Sequence, residues 1–289
     1  MAFLLRCAVS FFDWPKYFTA MGQPTPQALT EAAVVKAYWQ PGCTSCLRMK
    51  EFLTKHGVAF VSINVLEDKR AFAELEAFGI RSVPIVRRGD QWANGQVLRD
   101  VARVAGVAWG GAEMLPPRDL AARIVDVVAG AQRLFAQIPD DKLACMLPHR
   151  PRSYAQLGYH LFNVVDAFLE HEVHLLPLNE GAYDRVPSPA INSKSAILAY
   201  GHDVLRRFQI WWAGAAQTAD FSRKALVYYG DVTVHEYLER TTWHAGQHLR
   251  QLVMVLDMLG IEAEGPPSKE TFAGLPMPDK VWDDERPIT

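Results

Sequence analysis

The sequence predicts an α/β domain followed by an all-α domain built as a four-helix bundle, and three observations carry that prediction. The first is a strand, Cys-x-x-Cys, helix progression that begins at Val34. The second is the break at Trp109-Gly110-Gly111 and Pro116-Pro117, after which strand-like alternation disappears. The third is a series of four long segments with apolar residues at helical spacing. A chain of 289 residues, 49% hydrophobic and 21% charged, is long enough to bury a core in each half.

Each element has its own local signal. Val34-Val35-Lys36-Ala37-Tyr38-Trp39 is β-prone, and Pro41-Gly42 ends it. Helical spacing runs over 46–56 and stops at Gly57. A second strand is expected over 59–65, an acidic-to-apolar helix over 68–78, and a third strand from 82 to 87. A hairpin-like stretch follows in which Asn94-Gly95 is a strong turn signal, and a helix over 97–107 closes the unit. The bundle helices are expected over 118–137, 153–176, 192–212 and 232–259, with breakers at Pro139, from Pro148 to Pro151, from Pro177 to Pro189, and at Gly230. The expected plan is an N-terminal extension over 1–32, the α/β domain over 33–108, a linker over 109–117, the bundle over 118–262, and a surface tail over 263–289.

Composition excludes some functions. Thirty Lys plus Arg against thirty-two Asp plus Glu leave a formal charge of -2, with no basic excess to hold a phosphate backbone, so nucleic acid is not an expected partner. No later run reaches the roughly 18–20 apolar residues of a membrane helix. The first thirteen residues are apolar but interrupted by Arg6 and Asp13, with no clear cleavage site after them, so a signal peptide is not expected; Met21 offers an alternative start. The four cysteines, Cys7, Cys43, Cys46 and Cys145, do not spread into a disulfide framework, which suits a reducing, cytoplasmic compartment.

Cys43 and Cys46 stand at the start of a helix, where free N–H groups and the helix dipole stabilise a thiolate. Cys43 is therefore expected to attack, and Cys46, one turn further in, to resolve the mixed disulfide. A zinc site would need a second cysteine pair that the sequence lacks. The string Tyr38-Trp39-Gln40-Pro41-Gly42-Cys43-Thr44-Ser45-Cys46, with Ser82-Val83-Pro84 further on, resembles the glutaredoxin family over about 34–106. The resemblance implies a thioredoxin-like fold, a cis proline at Pro84 that presents the Val83 backbone to a thiol, thiol-binding roles for Gln40 and Tyr38, and glutathione or a similar small thiol as cofactor. This chain departs from the family at three places. Gln40 replaces the usual basic residue, Asn94-Gly95 replaces a Gly-Gly turn, and Thr44-Ser45 replaces the more usual Pro-Tyr.

His244 and His248 are spaced i, i+4 on one face of the last long helix, continuous with Tyr237, Thr241, Leu252 and Val255. His160 lies on the seam Leu157, His160, Leu161, Val164, Phe168 of the second bundle helix. Both seams are expected to face inward, where buried imidazoles need partners and a metal is one way to supply them. Taken alone, such histidines fit hydrogen-bonded core residues better than metal ligands. The string from Glu239 to Leu252, and Ser153-Tyr154-Ala155-Gln156-Leu157-Gly158-Tyr159-His160-Leu161, resemble the DinB-like family of metal-binding four-helix bundles over about 118–260. The resemblance implies His160, His244 and His248 as ligands to a divalent metal (Zn, Ni or Fe) with a fourth position open. His171 and His174 stand eleven or more residues from His160, about 16 Å along a helix, and are read as polar residues near a helix end. His202 and His235 are read as solvated or capping, Trp211 and Trp212 as packing, and Cys145 as a half-buried small hydrophobe.

Some DinB-like proteins are thiol transferases or isomerases. The two resemblances together imply a thiol–disulfide oxidoreductase joined to a metal-dependent enzyme that uses glutathione or a similar thiol. The expected partners are a small thiol or disulfide and an electrophilic small molecule, with no membrane and with homodimer formation left open. Two alternatives stand beside this: a non-catalytic, redox-responsive metal-binding module, and a plain disulfide reductase with a vestigial bundle.

Overall fold

The computed structural model describes residues 34–111, 113–283 and 285; the expected extension over 1–32, with Cys7, lies outside them. Strand parity organises the first domain. On β1 (Val35–Trp39), Val35 and Ala37 face a core with Met49 and Leu53 of α1 (Thr44–Lys55) and Val101 of α3 (Leu98–Ala105). Tyr38 points the other way, to Ile63, Ile85 and Leu75 of α2 (Ala71–Glu76). Helices thus cover both faces of a four-stranded sheet in the order β2-β1-β3-β4, with β2 (Phe60–Asn64) parallel to β1, and β3 (Ile85–Arg88) and β4 (Gln91–Asn94) continuing it antiparallel.

Two local expectations are refined. The β3–β4 hairpin turns at Gly89 and Asp90, whereas Asn94-Gly95 makes the turn from β4 toward α3. The Val83-Pro84 peptide is cis, and the third strand begins only at Ile85, since Pro84 has no N–H to donate to the sheet.

The second domain is a four-helix bundle. Its helices are α4 (Pro117–Gln137), α5 (Tyr154–His174), α6 (Lys194–Ala213) and α7 (Val234–Met258). Their starts are written locally: proline at the first turn of α4, Ser193 capping α6, and reciprocal capping boxes Ser153/Gln156 on α5 and Thr233/Glu236 on α7. Helices α4 and α5 each pack against α6 and α7, so the successive helices α4 and α5 lie diagonally across the bundle. The seam between α5 and α7 is where their buried polar residues meet.

The segment after Gly265 corrects the expectation of a surface tail. It contains a short helix, α8 (Lys269–Phe272), and it buries Leu275 and Trp282 in the bundle core cluster. Its backbone then crosses both domains: Arg250 and Gln247 of α7 donate to carbonyls of 278–281, while Glu51 of α1 accepts from the amides of Asp279 and Lys280. Lys50 pairs with Asp283 at 2.9 Å. No period marks this stretch in the sequence, because backbone hydrogen bonds and scattered apolar contacts of Phe272, Leu275, Met277 and Trp282 hold it in place of a regular apolar face.

Among the described residues, no helix is long and apolar enough to cross a membrane.

Candidate active site at the domain interface

Cys43 is the N-cap of α1, and its Sγ accepts the Cys46 backbone N–H at 3.2 Å. The helix begins two residues before the periodicity predicts, since Thr44 and Ser45 are helical despite being weak helix formers. Cys43 and Cys46 are joined as a disulfide. Cys43 is half-buried and lines a cavity, whereas Cys46 is 1% exposed behind it. Gln40, Val83 and Pro84 line the same cavity beside Cys43.

Tyr38 does not join them. It is fully buried, its hydroxyl donates to Glu74 Oε2 at 2.7 Å, and burial together with that carboxylate pushes its phenol well up from its usual value. The pleat explains this, because Tyr38 lies on the sheet face covered by α2.

The three bundle histidines converge. His160 on α5 and His244 and His248 on α7 offer ring nitrogens that all lie within 4.8 Å of one another. All three are buried, and each has a ring nitrogen without a partner: His160 Nδ1, His244 Nδ1 and His248 Nε2. For His248 the tautomer follows from its neighbour. Gln251 Nε2 points at the carbonyls of Gly42 and Val281, which can only accept, so Gln251 Oε1 faces His248 and accepts from Nδ1–H at 2.8 Å. The Nε2 lone pair of His248 is left free. Burial, aided by nearby guanidiniums, holds all three imidazoles well below their usual value; His248 is pushed down to about 3, by burial first and Arg152 next.

A cluster of three neutral, buried imidazoles with unpaired nitrogens fits a borderline divalent metal such as Zn, Ni or Fe.

The sequence pointed to two separate centres, but the structure gives them one cavity. Its volume is about 250 Å³, and Cys43, Pro84, His160, His244 and His248 all line it. Arg150, Arg152, Arg240 and Tyr183 complete that wall and were not anticipated. Arg150 Nη1 donates to Pro41 O at 2.7 Å, which ties the loop before α5 to the dithiol loop. Burial pulls the guanidiniums of Arg150 and Arg152 down to about 9 and about 10, so both remain charged at neutral pH and favour a thiolate nearby. Arg240, one turn before His244, was the residue that helical spacing could have revealed.

The remaining histidines fall elsewhere. His171 is buried but fully used: Nδ1 is 2.8 Å from Glu172 Oε1 and Nε2 accepts the Leu226 N–H at 3.0 Å. His174 and His202 are exposed, and His235 Nε2 is 2.8 Å from the Leu115 carbonyl. Trp211 packs on Phe168 and Phe208. Cys145, expected to be half-buried, is exposed, because it sits in the loop outside the capped start of α5.

A helix-capping thiol beside a cis proline on a thioredoxin-like sheet defines a dithiol redox domain. Residues 35–92 match the glutaredoxin family model, and this part of the chain is a glutaredoxin domain. A solved structure similar to the chain is YfiT from Bacillus subtilis, described as a probable metal-dependent hydrolase with an unusual four-helix bundle topology. It is 15% identical, with a TM-score of 0.40, over 54% of this chain and 96% of that one. No curated protein matches.

Proposed function

We propose that the chain is a thiol–disulfide oxidoreductase whose dithiol works beside a metal-dependent centre, both served by glutathione or a similar small thiol in a reducing, cytoplasmic setting. The observation that carries this reading is the single cavity lined by Cys43, Pro84 and three buried histidines. In the reduced protein the Cys43 thiolate attacks one sulfur of a substrate disulfide. That S–S bond breaks, the departing thiolate takes a proton, and a Cys43 mixed disulfide forms. Cys46 then attacks Cys43 Sγ, expelling the second thiolate and leaving the Cys43–Cys46 disulfide, with two electrons passed to substrate. Two equivalents of a small thiol restore the dithiol and leave as its disulfide.

In the bundle, His160, His244 and His248 would hold the metal, with Gln251 fixing the His248 tautomer. A metal held there would supply Lewis acidity that favours the thiolate form of a small thiol. Tyr183 packs edge-on against His160 and His244 on the cavity wall.

The test combines turnover with elemental analysis. Cys43→Ser should abolish reduction of a glutathione mixed disulfide, and Cys46→Ser should trap a Cys43 adduct visible by mass. Purified protein should carry about one Zn, Ni or Fe per chain, lost in His160→Ala. Thiol transfer left intact by His244→Ala would remove the bundle from the catalysis. The redox-responsive module is favoured by one observation, the Gln251 bridge from His248 to Gly42 O. It predicts metal affinity that changes with dithiol oxidation, and no transfer of thiol to electrophiles.

A further inference from the structure

The cavity carries more positive charge than its own carboxylates balance. Four guanidiniums line it, from Arg81, Arg150, Arg152 and Arg240, against the carboxylates of Glu180 and Asp184, and Glu180 already accepts from Ser82 Oγ at 2.8 Å. Among the described residues, Arg150 and Arg240 donate to neutral groups, the Pro41 carbonyl and the Tyr183 hydroxyl. Arg240 is 5% exposed. Its guanidinium lies over the rings of Tyr183 and Tyr229, at 4.7 and 4.8 Å, and its Nε–H is buried with no acceptor. A buried cation with an unpaired donor is costly unless a ligand completes it.

The three arginines come from two places that folding brings together. Arg150 and Arg152 sit in the proline-flanked loop before α5, and Arg240 sits on α7 one turn before His244. Planar guanidinium forks pair best with carboxylates. A divalent cation on three neutral imidazoles would add to the positive charge. An anionic ligand is what balances this wall.

We propose that Arg150, Arg152 and Arg240 form a carboxylate-binding subsite that selects a small carboxylate-bearing thiol, or its mixed disulfide, and offers its sulfur to Cys43. This deepens the proposed function and rests on Cys43 being the attacking thiol. It gives the chain a route to an anionic thiol through the interdomain wall of the cavity.

The test uses the full chain and two readouts. In the first, reduction of glutathione disulfide, which bears carboxylates, is compared with reduction of the neutral bis(2-hydroxyethyl) disulfide, with dithiothreitol as reductant. The wild type should prefer the carboxylate substrate in kcat/KM, and Arg152→Gln or Arg150→Gln should lower that preference roughly tenfold through KM. Arg240→Lys, which keeps the charge but loses the fork, should lower it as well. In the second, redox-inert S-methylglutathione is titrated calorimetrically into the oxidised protein, with Kd weakened roughly tenfold by Arg152→Gln. No binding by the wild type, or a Kd and substrate preference indifferent to all three arginines, overturns the subsite. Arginine-dependent binding in a protein that reduces neither disulfide supports the subsite and sinks the oxidoreductase reading instead.

Discussion

At the scale of single residues, Gln251 joins the two chemical centres. Its Oε1 accepts from His248 at 2.8 Å, and its Nε2 reaches the Gly42 and Val281 carbonyls at 3.4 Å, so one amide sets an imidazole tautomer and touches the loop that carries Cys43. Outer partners of this kind orient ligands and raise their basicity. Gln251→Leu is expected to weaken metal affinity about 10–100-fold while leaving the helix intact. Titration against a competing chelator checks this, and His248 should then lose its preference for the Nδ1–H tautomer in NMR spectra of the metal-free protein. Gln251 was invisible in the sequence because a glutamine three residues after a histidine is ordinary on a helix. Only the Gly42 carbonyl across the interface, 209 positions away, gives it a role.

Among the elements, α7 does most to build the site. Arg240, His244, His248 and Gln251 recur on one buried face of it, and its capping-box residue Glu236 also pairs with Arg99 of α3. Beside that face, Glu239 sits half-buried. Burial pushes its carboxyl up to about 7, opposed by Arg48 and helped by Glu236. Because this value lies above the ordinary 4.5, the folded chain binds a proton there that the unfolded chain has released. The resulting stabilisation is full below about pH 4.5 and is lost as pH rises through about 7. Denaturant melts of wild type and Glu239→Gln at pH 5 and pH 8 should show a wild-type loss on going to pH 8 that the variant lacks. Helix existence was legible in the sequence because capping boxes and apolar spacing are local. So was the inward face of His160, His244 and His248, which periodicity fixes. The strand start at Ile85 and the hairpin turn at Gly89 were misplaced, because a proline without an N–H and a two-residue turn override propensity. The pleat of β1, read with the right parity, would have removed Tyr38 from the site.

For the whole molecule, what the sequence could not show is how the two domains face each other. Arg150 reaching Pro41, Arg48 lying 4.9 Å over the Trp243 ring, and the hold of the 278–283 strap on α1 depend on contacts between residues far apart in the sequence, which local patterns do not encode. The strap fixes this arrangement at Gly42. There φ is +63°, and a Cβ would stand 2.2 Å from the Trp282 ring, so glycine is required both by conformation and by close approach. These two requirements can be separated. Trp282→Ala removes a ring that is 6% exposed and should cost about 3 kcal/mol, the scale of a buried aromatic truncation. Gly42→Ala in the wild type should cost the left-handed backbone penalty, about 1–2 kcal/mol, plus the displacement of Trp282. In a Trp282→Ala background only the backbone penalty remains. The double-mutant cycle should therefore show the two changes costing less together than their sum, by at least about 1 kcal/mol in urea melts. Simple additivity would mean that Trp282 does not seat on Gly42 in solution.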